Sequence, residues 1–251
     1  MMNIKYWNSL ASDFEDNVLE IANHDLQGVI EEQVERMAKE GAVAADLGCG
    51  TGSLLPYLSN KFEKVYAVDY ADELLNVAKK KYKYKNVEYI CHDLISKKSL
   101  PFSADVTFSV NSLISDKHAN RQAIAQSLWR STNKQGFSMV VVPSLESVTH
   151  VYQTLVRCNV RQQIDRREAV SDITHLYKNE VISPVDGIVS IGGTLTKCFT
   201  REEITVFLSE IGFTIEDVQR VEYAWDEEIE DAPRWLKEPY PWDWLIISRK
   251  L

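Results

Sequence analysis

The sequence predicts an α/β fold: a seven-stranded, mostly parallel sheet with helices on both faces and an antiparallel last strand. Three observations predict it. Up to Pro143, apolar runs of strand length alternate with helical stripes, the rhythm of a parallel sheet built from strand–helix–strand units. A glycine-rich turn leaves the first run and opens a helix. The last two runs, Phe213–Val221 and Trp242–Ser248, are joined by about twenty residues with no crossover helix, so they can pair antiparallel at a sheet edge.

The elements follow in order. Ile4, Trp7, Leu10 and Phe14 recur at helical spacing, and Val29, Ile30, Val34 and Met37 form a second stripe that Gly41 stops. Val43–Leu47 is the first strand and Ser53–Asn60 the helix after it. Lys64–Asp69 is the second strand, followed by a helix from Asp72 to Tyr82. Asn86–Cys91 is the third strand and Ala104–Asn111 the fourth. A helix from His118 to Thr132 leads to the fifth strand, Gly136–Pro143. Between Ser144 and Phe199 the alternation breaks into mixed helical signals and the turn pairs Ser183-Pro184, Asp186-Gly187 and Gly192-Gly193. This stretch reads as a cap inserted after strand five. Thr200 to Glu203 is a capping-box pattern heading a helix that Gly212 ends.

The 251 residues therefore fit a single domain, 1–251, with N-terminal helices over 1–40 and the cap over 144–199. The formal net charge of −9 disfavours nucleic acid as a partner, because that affinity comes mostly from cations meeting phosphates. Cys49, Cys91, Cys158 and Cys198 are scattered, without a CxxC pair, so neither a zinc site nor a disulfide framework is expected, and no metal. The leading segment lacks the apolar core of a signal peptide and no apolar run approaches a membrane span, so a cytoplasmic protein without membrane contact is expected. Nothing in the sequence fixes an oligomeric state.

Gly48, Gly50 and Gly52 let the backbone approach a ligand without a Cβ in the way, and the helix that follows points free N–H groups at it. Asp69 ends the next strand, 21 positions after Gly48, where a carboxylate can accept from two adjacent ribose hydroxyls. The combination favours a nucleoside-type ligand. The dinucleotide fingerprint does not match: its third glycine position is Ser53, and the third glycine comes early, at Gly52. Asp46, ahead of the first glycine, and Asp93, after the third strand, are further acceptors.

These residues resemble the class I S-adenosylmethionine-dependent methyltransferases. The matching stretches are VAADLGCGTG (Val43–Gly52), VYAVDYADELL (Val65–Leu75), CHDL (Cys91–Leu94) and ADVTFSVNSLI (Ala104–Ile114), within a similarity running from Asn3 to Pro143 and again over the closing Phe213–Arg249 hairpin. The resemblance implies a Rossmann-like fold and S-adenosyl-L-methionine as cofactor. It implies that Asp46, Gly48, Cys49 and Gly50 hold the methionine end, that Asp69 takes the ribose hydroxyls and that Tyr70 packs on the adenine. Asp93 would accept from the adenine amino group with Leu94 beside the ring, and Asn111 would face the reacting methyl. Tyr6, Trp7 and Phe14 resemble the segment that closes over the cofactor in this family; they also fit an apolar stripe packed on the sheet.

The acceptor side is less defined. The cap and the Tyr223–Pro241 loop both leave the carboxyl ends of strands, the side on which ligands bind in open α/β sheets. The aromatics Tyr223, Trp225, Trp235, Tyr240, Trp242 and Trp244 could line a pocket, although Trp242 and Trp244 alternate along a strand and suit core packing. His118, His150, His175 and Tyr177 are candidate bases, none of which the sequence singles out; His92 lies on the wrong strand parity to share the face of Asp93. Arg161, Arg166 and Arg167 would suit an anionic acceptor, whereas Asp226, Glu227, Glu228, Glu230 and Asp231 would suit a cationic one. Lys79–Lys85 caps a helix end away from the ligand face. No Asn/Asp-Pro-Pro-aromatic run follows strand four and no Pro-Cys nucleophile is present, which argues against methylation of nucleic-acid bases. The expectation is methyl transfer to an oxygen or nitrogen of a small organic molecule. A protein methyltransferase and a non-catalytic S-adenosylmethionine-binding interaction protein are the alternatives.

Overall fold

The computed structural model describes residues 4–12, 14 and 18–251. Asn3, where the resemblance begins, and most of the acids of the leading segment lie outside the described residues, and with them part of the reading that this segment carries no targeting signal.

Helices α1 (Ile4–Ser9), α2 (Ile21–His24) and α3 (Val29–Met37) precede the sheet. Its first half is β1 (Val43–Leu47), α4 (Leu55–Lys61), β2 (Lys64–Asp69), α5 (Asp72–Lys81) and β3 (Val87–Cys91). Its second half begins with β4 (Ala104–Val110), α6 (His118–Ser131) and β5 (Thr132–Pro143). The cap contains α7 (Leu145–Arg161), α8 (Arg166–Glu180), β6 (Val181–Ser183), β7 (Ile188–Ile191) and β8 (Thr194–Lys197). The chain closes with α9 (Arg201–Ile211), β9 (Thr214–Glu222) and β10 (Trp242–Arg249).

The seven-stranded sheet has the order β3-β2-β1-β4-β5-β10-β9. The first five strands are parallel, and β10 runs antiparallel to both β5 and β9, as the helix-free loop between the last two strands predicts. Both faces are covered, which is why the central strands read as unbroken apolar runs. Ala44, Val65, Val106, Met139 and Leu245 pack with α3 and α4 on one face; Ala45, Val68, Val140, Val142 and Ile246 pack with α6 and α9 on the other. Trp242 and Trp244 belong to this second core rather than to a pocket wall.

Chain order reverses between β1 and β4. From β1 the chain winds outward to β3, then crosses back to β4 on the other side. The two strands' loops diverge there and leave a crevice at their carboxyl ends, the position where open α/β sheets bind ligands.

Two elements differ from the sequence expectation. Strand β5 starts at Thr132, four residues early, because the polar stretch before Gly136 is held by side-chain bonding rather than by an apolar pattern: Thr132 Oγ1 lies 2.8 Å from Thr107 Oγ1. The cap carries an antiparallel three-stranded sheet, β6-β7-β8, whose turns are the predicted pairs. Its strands are too short for alternation to register, and Ile182, Ile191 and Leu195 point outward. The cap is tied to the main sheet: Lys197 N–H donates to Ile114 O (2.8 Å) and Phe199 N–H to Pro143 O (2.8 Å). At α9, Thr200 caps Glu203 N–H (3.1 Å), but the Glu203 carboxylate does not reach back to complete the box. It binds instead the fully buried ammonium of Lys197, at 2.6 Å from both oxygens, because an unpaired buried charge costs more than an unfilled cap.

Candidate active site

The loop after β1 folds back on β2. Gly48 and Cys49 N–H both donate to Val68 O, at 2.7 and 3.0 Å. Gly48 has φ +89°, and a Cβ there would stand 2.5 Å from Ser112 Cβ, so only glycine fits. The closure aims Gly50 N–H at Asp69 Oδ2 (2.9 Å), while Ala71 N–H meets Oδ1 (2.9 Å). Each Asp69 oxygen thus keeps acceptor capacity for one further donor. Burial raises the Asp69 pKa, and the amides of Ala71 and Gly50 oppose that shift.

Asp46 ends β1 beside this loop. It is 2% exposed and its carboxylate accepts no hydrogen bond from the described residues, and burial, reinforced by the Asp69 charge, pushes its pKa up to about 8. The Tyr70 hydroxyl is buried without a partner, and Asn111 Oδ1 is likewise unpaired. Asn111 has φ +49° and turns the chain at the end of β4; its Nδ2 donates to Asp243 Oδ2 (3.1 Å). Asp93 caps its own turn through Ile95 N–H (2.9 Å).

All of these residues line one cavity of about 930 Å³, together with Gly48, Cys49, Gly50 and Leu94. Gly52 does not line it. Its side faces Leu55 and Tyr82, where a Cβ would stand 2.8 and 3.2 Å away, so its role is to seat the following helix. Tyr6, Trp7 and Phe14 form part of the wall, packed around Ala71 and Leu74. His92 also lines the cavity beside Asp93; the parity argument fails because β3 ends at Cys91 and the chain turns there.

The cavity continues under the cap. Its far end is walled by Val148, Val151, Tyr152 and Leu155 of α7, by β7, and by Tyr223, Glu228 and Asp243. Tyr223 Oη donates to Glu228 Oε1 (2.6 Å), and Tyr152 Oη donates to Glu180 Oε2 (2.5 Å). Asp243 opens β10 beside Pro143; burial, with Glu228 adding to it, lifts its pKa to about 7 against the opposing bond from Asn111.

His118, His150, His175 and Tyr177 are not among the lining residues. The ring nitrogen Nε2 of His150 sits 3.0 Å from Pro239 O, and Tyr177 packs edge-on against Tyr152. Of the arginines weighed from the sequence, Arg161 stacks over Trp235 at 3.9 Å, away from the cavity. Of the aromatic set, Tyr223 alone lines the cavity; Trp225 packs with Val151 and Leu236. The sequence reading did not single out Asp243, Glu180 or Tyr152. The one signal available for Asp243 was a carboxylate set inside the apolar strand WDWLIIS.

The fold and the cradle at the β1–β4 crevice make an α/β domain with a candidate ligand site at the switch point of its sheet, and the chain resembles known proteins of that build. Residues 44–136 match a family model described as a methyltransferase domain. Among curated proteins, the malonyl-[acyl-carrier protein] O-methyltransferase of Bacillus cereus is 34% identical over 95 residues, 37% of this chain and 34% of that protein. The enzyme of the same name from Bacillus anthracis is 43% identical over 51 residues, 20% of this chain and 19% of that one. The chain thus spans about a third or less of the length of these relatives. Among solved structures, an S-adenosylmethionine-dependent methyltransferase from Anabaena variabilis superposes with a TM-score of 0.66 at 17% identity, covering 98% of this chain and 93% of that one. The N-methyltransferase NodS from Bradyrhizobium japonicum, solved with S-adenosyl-L-homocysteine, gives 0.61 at 9% identity, covering 98% and 97%. A methyltransferase-domain model thus matches the chain from β1 into β5, and the fold of the whole chain is one seen in S-adenosylmethionine-dependent methyltransferases.

Proposed function

We propose that this protein is an S-adenosylmethionine-dependent methyltransferase that methylates an oxygen or nitrogen of a small organic molecule. The carrying observation is one continuous cavity lined both by the cofactor cradle and by residues of the cap, with the hydrogen-bonded pair Asn111 and Asp243 in its wall.

The cradle fits the cofactor by its unmet demands. Asp46 is a buried carboxylate without a donor, suited to the cofactor's ammonium group. Asp69 retains one acceptor site on each oxygen for the ribose hydroxyls. Asp93, exposed at the rim, suits the adenine amino group, and the Tyr70 ring stands beside the same region. Asn111, which lines the same cavity, offers the unpaired acceptor Oδ1. When bound, S-adenosylmethionine supplies a methyl group already activated on a sulfonium. What remains for the chain is alignment and exclusion of water: the glycine loop and Asp69 fix one reactant, the cap encloses the other, and Tyr6, Trp7 and Phe14 close the side.

At about 930 Å³ the cavity lies at the upper end of the roughly 300–1,000 Å³ of small-molecule pockets. A cavity of this volume with the cap in its wall favours a small acceptor over a protein side chain, which a shallow groove would suit. Incubation with methyl-labelled S-adenosylmethionine and a cell extract is expected to place label in the small-molecule fraction. Label on a protein band would support the protein-methylating alternative, and cofactor binding without any transfer would support a non-catalytic one.

A further inference from the structure

From the acceptor end of the cavity we infer that the methyl acceptor is an amine, cationic in solution and carried on an apolar body, whose nitrogen sits against the free oxygen of Asp243. This rests on the proposed methyltransferase function and names its substrate class.

Charge is the first ground. Among the described residues, those lining the cavity include eight carboxylates and no lysine or arginine. Four of them, Glu20, Asp46, Asp69 and Asp93, belong to the cofactor half. The other four, Glu180, Glu227, Glu228 and Asp243, belong to the acceptor half. Three of these already hold a donor: Glu180 the Tyr152 hydroxyl, Glu228 the Tyr223 hydroxyl, and Glu227 His24 Nδ1 at 2.8 Å. Asp243 is the exception. It is 4% exposed and lines the cavity, and among the described residues its carboxylate accepts one hydrogen bond, at Oδ2 from Asn111, which leaves Oδ1 without a donor from them. A nine-tenths buried carboxylate with one unmet oxygen at the junction of the two halves is a seat for a charged donor. A carboxylate acceptor placed there would meet like charge with no cation among the lining residues to offset it.

The second ground is the wall. Val148, Val151, Leu155 and Val189 surround the chamber, with the Tyr152 and Tyr223 rings. An apolar or aryl body fills it, and the ring faces favour a cation.

The chemistry balances. A protonated amine has no lone pair, so one proton must leave first, and Asp243 Oδ1 is placed to take it. The freed lone pair then forms the nitrogen–carbon bond as the carbon–sulfur bond breaks, its electron pair staying on the sulfur. The product nitrogen carries the positive charge, and the sulfur becomes neutral. Burial makes Asp243 a stronger base than a surface carboxylate, in keeping with that role.

The test uses paired probes: 2-phenylethylamine with 3-phenylpropanoate, and hexylamine with heptanoate. Binding to the full-length protein is measured by ligand-observed NMR, and S-adenosylhomocysteine binding by calorimetry on the same samples. Each amine is expected to bind at least about tenfold more tightly than its carboxylate partner, and Asp243→Asn to remove most of that preference. Glu228→Gln is the second variant should Asp243→Asn fold poorly, and it is expected to reduce the preference to a smaller extent. Carboxylates that bind as well as the amines, or an amine preference that survives Asp243→Asn in a folded protein, would overturn the inference while S-adenosylhomocysteine still binds. Absence of S-adenosylhomocysteine binding to the unmodified protein would instead overturn the methyltransferase reading on which it rests.

Discussion

Asp46→Asn is expected to weaken S-adenosylmethionine binding by at least about tenfold, the loss of a charge-assisted bond worth about 1.5–3 kcal/mol, while making the ligand-free protein more stable. Both effects come from one carboxylate that is buried without a donor. Its folded-state pKa is raised from 3.8 to about 8, so between those values the folded protein holds a proton that the unfolded chain has released. Stability from this group is therefore full below about pH 4 and declines as pH rises toward 8. Asparagine removes that slope and leaves a neutral amide at the site, with an expected gain of about 1–3 kcal/mol at pH 8. Asp243, raised to about 7, adds a slope of the same sign over a narrower pH window. Cofactor binding has the opposite dependence. The ammonium pairs with ionised Asp46, so affinity should rise from pH 6 to 8 and then level off. Thermal melts from pH 5 to 9, with and without cofactor, check both halves. An unchanged melting profile in the variant would remove the basis for assigning Asp46 this role.

Gly48→Ala is expected to be the most damaging single methyl in the cradle. The backbone there is left-handed, and the added Cβ would stand 2.5 Å from the Ser112 side chain. The conformational penalty is about 1–2 kcal/mol and the overpacking penalty about 1–3 kcal/mol. Relief requires the loop to lift from Val68 O, which withdraws Gly50 N–H from Asp69 and opens the cradle. Cofactor affinity should fall at least about tenfold, together with a loss of stability of a few kcal/mol. Gly193→Ala is the control: its φ is also positive, at +77°, but nothing lies within 4 Å of the added atom, so only the smaller conformational cost remains. Denaturant titration and calorimetry on the two variants should separate them clearly; equal effects would mean that the contact with Ser112 is not what demands glycine.

The cradle was legible in the sequence because its parts are local. A strand, a glycine turn and a carboxylate at the next strand end are read within about 25 residues, and the parallel strands announce themselves by being apolar on both faces. The chamber was not legible, for a physical reason. Tyr152, Glu180, Glu228 and Asp243 come from two helices, a loop and a strand, and only the folding of the cap over β5 and β10 brings them together. No spacing encodes that. The charge of the acceptor stayed open in the sequence because Arg161, Arg166 and Arg167 and the acidic run from Asp226 to Asp231 pulled opposite ways; in the fold Glu227 and Glu228 border the cavity, whereas Arg161 stacks on Trp235. The small cap sheet was missed because strands of three and four residues carry no readable period. The early start of β5 was missed because its first residues are polar.

The most direct test of the account is calorimetric titration of S-adenosylmethionine into the unmodified protein and into Asp69→Ala, with NAD titrated in parallel. Asp69 accepts from the glycine loop at Gly50 N–H and, on the proposed reading, would take the ribose hydroxyls with its remaining acceptor sites. The account predicts one site per chain, no binding of NAD, and an affinity at least about tenfold weaker in the variant. Unchanged affinity in a folded Asp69→Ala protein, or binding of NAD in preference to S-adenosylmethionine, would contradict it.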